Sequence, residues 1–136
     1  KYIYIEKFPT KNDNLNKYML DNKEDLQKRK VRKIDNSNWY EFGLLRNKKV
    51  IDLNKGKECL YIHNLTRKEE VCFKSNVQYF GGNLLMILPK NNNVNLSYLC
   101  TYFNSYEFKD NYLYSNRFII KQKNIKDCYI PNKILL

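Results

Sequence analysis

Alanine is absent from this sequence, glycine occurs four times, proline three times, and histidine and tryptophan once each. Each scarcity excludes a class of chemistry. The one adjacent glycine pair, Gly81-Gly82, lacks the spaced third glycine of a dinucleotide loop, and no GxxxxGK[ST] cradle for phosphates is present. With His63 as the single imidazole, any His-dependent triad would have to use it, and it stands in an alternating, strand-like stretch. The four cysteines, Cys59, Cys72, Cys100 and Cys128, are spaced 13, 28 and 28 residues apart without a Cys-x-x-Cys pair, so a zinc-type site is not expected. Carboxylate pairs are few: Glu69-Glu70 adjoins Arg67 and Lys68 and reads as a solvated mixed-charge turn. The longest aliphatic run, Leu84 to Leu88, is far shorter than the roughly 20 residues a bilayer demands. No charged stretch leads into an apolar signal segment. Free thiols and these absences together lead to the expectation of a reduced, cytoplasmic protein with no metal and no membrane contact.

What fills the space is Lys, Asn, Ile and Tyr, 63 of the 136 residues, the composition an AT-rich coding sequence yields. Lys plus Arg number 25 against 14 Asp plus Glu, for a net charge of +11. Some of that excess is codon habit, so the total is only a hint of an anionic partner. Hydrophobic residues make up 43% and aromatics 15%, too apolar for disorder. A chain of this length buries roughly 68–70% of its unfolded surface, enough for a core without staples.

Periodicity predicts an α+β chain forming a single domain over 1–136, a twisted, mostly antiparallel or mixed sheet with a few short helices. Lys1 to Phe8 alternates like a strand and stops at Pro9. From Asp13 to Lys30 the period becomes helical, with Leu15, Tyr18, Met19 and Leu26 on one face, Thr10 or Asn12 as cap, and Asn22 as a possible break into two helices. Asp35 to Asn38 is a polar turn. Strands are expected at Lys49–Leu53, Cys59–His63, Glu70–Phe73, Val77–Phe80 and Leu84–Leu88, between turns at Asn54-Lys55-Gly56 and Gly81-Gly82-Asn83. Lys90 to Asn93 is a loop, and Asn95 caps a helix with Leu96, Leu99, Cys100 and Phe103 on its face. Tyr112–Ile120 and Asp127–Ile130 are expected to be extended.

The cations cluster. Lys28-Arg29-Lys30-Val31-Arg32-Lys33 holds five in six positions; a helix C-terminus accounts for two or three, and the rest repel one another unless an anion is near. Tyr112, Tyr114, Ser115, Asn116, Arg117, Lys121, Gln122, Lys123 and Asn124 mix cations, amides and aromatics, the groups that neutralise phosphates and address base edges. An edge strand guarded by lysines would have the same composition. Arg46-Asn47-Lys48-Lys49 repeats the pattern.

These segments, in this order, resemble the target-recognition region of bacterial adenine-N6 DNA methyltransferases of restriction–modification systems. Leu26-x-x-Arg29 followed by Trp39-Tyr40-Glu41-Phe42-Gly43 is similar to that family's Leu-x-x-Arg and Trp-Tyr-x-Phe-Gly-Arg elements. Gly81-Gly82 with Asn83 to Pro89 resembles its Gly-Gly aliphatic strand. Leu96 to Ser105 resembles its helix ending in Leu-Asn-Ser, and Tyr114-Ser115-Asn116-Arg117-Phe118 with Tyr129-Ile130-Pro131 its Ser-Gly-Arg-Phe and Ile-Pro elements. The likeness spans about Asp25 to Pro131. Two positions depart: Leu44 stands where the family has arginine, with Arg46 two residues on, and Asn116 replaces a glycine. Asparagine tolerates positive φ, so that turn is expected to persist.

The resemblance implies a sequence-specific double-stranded DNA recognition domain, non-catalytic by itself. Its contacts would involve Lys28, Arg29, Arg32 and Lys121 on phosphates and residues near Arg46, Asn47, Asn116 and Arg117 on bases, with Lys33, Trp39, Ser115 and Lys123 also at the DNA. The family's Asp/Asn-Pro-Pro-Tyr motif and S-adenosylmethionine loop are missing, since Pro9, Pro89 and Pro131 never pair. The resemblance therefore implies a catalytic methyltransferase domain, holding S-adenosylmethionine, elsewhere in the same chain or in a partner chain. Two other readings compete: half of a type I restriction specificity subunit, and a basic protein–protein interaction domain whose cations would scatter over the surface.

Overall fold

The computed structural model describes residues 3–43, 45, 47–90 and 92–132. The class is α+β: helices with two small antiparallel sheets. The chain divides into two compact units, Lys1–Asn47 and Lys48–Leu136.

In the first unit, α1 (Asp13–Asp21) begins where the Asn12 side chain accepts the Leu15 amide at 3.0 Å. Thr10 is held just ahead of it by Asn16, whose Oδ1 accepts both the Thr10 amide and hydroxyl at 2.8 Å. Asn22 does break the helix. Its amide and its Nδ2 both donate to the Tyr18 carbonyl, and α2 (Lys23–Gln27) starts afresh. Met19 is buried on the inner face with Leu15 and Leu26 packed beside it, whereas Tyr18 points outward and is exposed. The unit's core is Ile5, Met19 and Trp39. No strand forms over residues 3–8, the described part of the expected Lys1–Phe8 strand. An isolated strand leaves a row of backbone groups without partners, and among the described residues this unit has no other strand to supply them. Instead Phe8 lies edge-on to Trp39 at 5.0 Å and stacks on Tyr40 at 5.6 Å. The turn at Asp35–Asn38 is present: Asp35 Oδ1 accepts the Ser37 amide, and Asn38 Oδ1 accepts the Asp35 amide.

In the second unit, residues 49–53 are helical, within α3 (Lys48–Asn54), and not the expected strand. Only Ile51 is buried there, and Lys48 and Asp52, one turn apart, pair at 2.6 Å. Gly56, at φ +85°, makes the left-handed turn into β1 (Glu58–His63). That strand is central in its sheet, between β3 (Cys72–Asn76) and β4 (Leu84–Ile87), antiparallel to both. Both of its faces are buried: Leu60 and Ile62 join one core, Cys59 and Tyr61 another. Of the two runs expected on either side of Lys74, only Cys72 and Phe73 are strand; Val77–Phe80 is not. Past Asn76 the Val77 amide still bonds Lys57 O at 2.7 Å, but the Gln78 amide donates to the Tyr61 hydroxyl, which replaces a strand partner.

At Asn64 the chain leaves one sheet for the other. Its amide donates to Asn83 O, its carbonyl accepts the Ile120 amide at 2.9 Å, and its Nδ2 donates to Gly82 O. Beyond it, β2 (Leu65–Thr66) pairs with β6 (Arg117–Ile119), which pairs in turn with β5 (Leu113–Tyr114). The helix capped by Asn95 is present as α4 (Leu96–Asn104), burying Leu99 and Phe103. A short α5 (Tyr106–Lys109) and a 3-10 turn (Asp110–Tyr112) lead into β5. Phe118 anchors β6 against an aromatic cluster, with Phe103 and Phe108 at 4.7 Å, Phe108 and Tyr112 at 5.0 Å, and Tyr112 and Phe118 at 6.2 Å. Each such pair contributes about 0.5–1.5 kcal/mol beyond area burial. The last expected extended segment begins later than Asp127, because α6 (Gln122–Asp127) runs through that residue and the chain extends only from Cys128. Its start is set by Asn124 Oδ1, which accepts the Lys121 amide at 2.9 Å.

Candidate nucleic-acid interface

The residues expected to meet DNA fall into two groups, one in each unit. In the first, much of the basic run serves the unit itself. The Arg29 guanidinium donates to three carbonyls: Leu26 O at 2.7 Å, Trp39 O at 2.6 Å and Glu41 O at 3.1 Å. That fork ties the end of α2 to the Trp39–Glu41 segment, so Arg29 is a structural cross-brace and not a free phosphate contact. Arg32 pairs with the Glu41 carboxylate, and Lys28 lies 3.6 Å from Asp25. Lys30 and Lys33 are exposed, and neither makes an ion pair among the described residues. Trp39 is 4% exposed, with the Lys23 ammonium 5.2 Å over its ring, so it is core and presents no surface to a ligand. Gly43 closes the same segment: a Cβ there would meet Val31 Cγ2 at 2.8 Å, so any larger residue would have to displace the Val31 side chain. Leu26, Arg29, Trp39, Tyr40 and Gly43 are thus accounted for by internal packing and hydrogen bonds. Arg46 lies outside the described residues; Asn47 is exposed at φ 58°.

The second group is built differently. Ser115 and Asn116 occupy the two-residue turn between paired Tyr114 and Arg117, at φ 47° and 59°. Positive φ at both central positions is the signature of a type I′ hairpin turn, whose twist matches the strands it joins. Asparagine tolerates that positive φ better than most residues. Phe118 turns inward, 2% exposed, so Arg117 and Ile119 face the other side by strand alternation. Tyr114 is 74% exposed on that outer side. Across β6, Leu65 is paired with Ile119 and Thr66 with Phe118; Arg67 directly follows Thr66, and Arg117 directly precedes Phe118. Arg67, Lys68, Arg117, Lys121 and Lys123 are all exposed, and none of them is ion-paired among the described residues. From Asn111 to Lys126 there is no carboxylate, against four cations. Arg67 was not singled out from the sequence; its signal there, an arginine next to Lys68 just after a strand, was masked by the two glutamates that follow.

Burial pushes the Cys72 thiol well above its ordinary range, with Cys100 beside it adding to the effect. Burial, with Lys68 nearby, lowers the His63 imidazole. Among the described residues no three His, Cys, Asp or Glu side chains gather as metal ligands, and no helix is long and apolar enough to cross a membrane. Comparison with protein-family models, with curated proteins and with solved structures gives no match.

Proposed function

We propose that this chain recognises double-stranded DNA sequence-specifically, as the non-catalytic recognition module of an adenine-N6 methyltransferase. The observation that carries the proposal is the β5–β6 hairpin. Its type I′ turn presents Tyr114, Asn116 and Arg117 from a carboxylate-free stretch. A two-stranded ribbon is of a size the major groove admits, and its arginine and amide side chains can bond base edges there. Lys121 and Lys123, following β6, supply charge for the flanking phosphates. In this reading the methyl transfer belongs to a catalytic domain that binds S-adenosylmethionine and extrudes the adenine, in the same chain or a partner. The recognition module contributes discrimination, about 1–3 kcal/mol for each bidentate base contact.

The first unit contributes less than its charge suggests, because Arg29 and Arg32 are engaged internally. The test is fluorescence anisotropy of the full chain on random-sequence duplex at rising salt. Four phosphate contacts, from Lys68, Lys121, Lys123 and Lys126, predict a log–log slope of about −3 to −4. No binding at low salt, or binding indifferent to salt, refutes the DNA reading and leaves the basic protein-interaction domain in its place.

A further inference from the structure

We infer that Arg67 is a second base-reading arginine beside Arg117, and that the duplex sequence preferred by this face contains guanine. The inference rests on the DNA-recognition reading above and deepens it.

The argument begins with a ratio. Lysines number 20 and arginines five, so this chain uses lysine wherever a positive charge suffices. Arginine differs in its planar fork of donors, which matches paired acceptors in a way an ammonium cannot. Arg29 shows that use directly, spanning three carbonyls with two nitrogens. Arg32 is held by the Glu41 carboxylate, and Arg46 lies outside the described residues. The two that remain, Arg67 and Arg117, each adjoin one member of the Thr66–Phe118 cross-strand pair although 50 positions separate them in the chain. Both are exposed, and neither makes a hydrogen bond or ion pair within the chain among the described residues.

Two exposed forked donors adjoining one cross-strand pair, with nothing of their own to bind among the described residues, call for an external partner offering paired acceptors. On duplex DNA the paired acceptor in the major groove is guanine, through O6 and N7, whereas adenine offers N7 with a donor beside it. Phosphate also accepts a fork, and removal of the guanine N7 acceptor separates the two partners. Tyr114, paired with Arg117 across the hairpin, is exposed on the same outer face.

The experiment uses the full chain and a random duplex library. Sequences selected at low salt are rebuilt with each guanine replaced singly by 7-deazaguanine, which removes the N7 acceptor. The wild-type chain should lose roughly 5- to 150-fold in affinity at two guanine positions. Arg67→Ala should become insensitive at one of them and Arg117→Ala at the other. Arg67→Lys keeps the charge, so it should keep most overall affinity yet not regain the N7 dependence. A selected motif without guanine overturns the inference. So does an Arg67→Ala chain that keeps both N7 dependences, or an Arg67→Lys chain that restores the lost one; in each case the DNA reading stands. Failure to bind any duplex removes the DNA reading, and the inference with it.

Discussion

Asn104 closes the open edge of β3, and its replacement by leucine should be among the costlier single changes in the second unit. The outer edge of β3 would otherwise present backbone groups with no strand to receive them. Asn104 reaches from the end of α4 and acts as that strand: its Oδ1 accepts the Val71 amide at 2.8 Å and the Cys72 amide at 3.0 Å, and its Nδ2 donates to Cys72 O at 2.7 Å. Val71 and Cys72 are both 0% exposed, so water cannot take over without opening the core. Leucine preserves volume and removes every one of these bonds. Two buried amides left unpaired, with the Cys72 carbonyl keeping only the Cys100 thiol, cost about 1–3 kcal/mol each and predict a loss of at least ~2 kcal/mol. For a chain of this size that lowers Tm by about 6 °C or more. Thermal denaturation followed by circular dichroism measures it, and amide hydrogen exchange locates it: protection should fall first at Val71 and Cys72. A loss under ~1 kcal/mol, or unchanged protection at those two amides, would refute the assignment of Asn104 as an edge cap.

Asn116→Gly should be neutral or slightly stabilising, and Asn116→Val should cost about 1–2 kcal/mol, because φ 59° suits glycine and asparagine but not a β-branched residue; paired melts decide, and equal Tm values for the two variants would count against the turn. Tyr61 predicts an alkaline dependence. Burial pushes its hydroxyl up to about 12, so the folded state holds the proton more tightly than the unfolded state, where the ordinary value is about 10. The stabilisation is complete below pH 10 and declines as pH rises toward 12, and Tyr61→Phe should flatten that part of the curve in a series of denaturant titrations.

The helical elements were legible because their caps are local. Asn12 and Asn95 each accept the amide three residues ahead, and the interruption at Asn22 needs nothing beyond its own turn. The central strand was legible because both of its faces are apolar. Lys49–Leu53 was misread since a run of five with apolar residues at three places fits either period, and the Lys48–Asp52 pair decides it. Residues 3–8 alternate correctly for a strand yet have nothing to pair with, a fact no local pattern contains. The hairpin turn could be anticipated from asparagine's tolerance of positive φ. What could not be anticipated was which cations are spoken for. Arg29 and Arg117 look equivalent on the page, and only the carbonyls of Trp39 and Glu41 distinguish them. Trp39, read as a ligand contact through its motif, is core, packed with Ile5 and Met19.

The β2–β6 pairing joins Leu65 to Ile119 across more than fifty residues of chain, through strands of two and three residues. Closing so long a loop for so few ladder bonds places this junction late in folding, after the nearer β1–β3 and β1–β4 pairings. It also makes the junction the easiest part of the sheet system to release. A modest destabilisation would separate Arg67 from Arg117 while the larger sheet stayed intact. The chain would then keep its bulk structure after losing the pairing that Arg67 and Arg117 adjoin. On the proposed DNA reading, discrimination would be lost at a lower temperature than affinity.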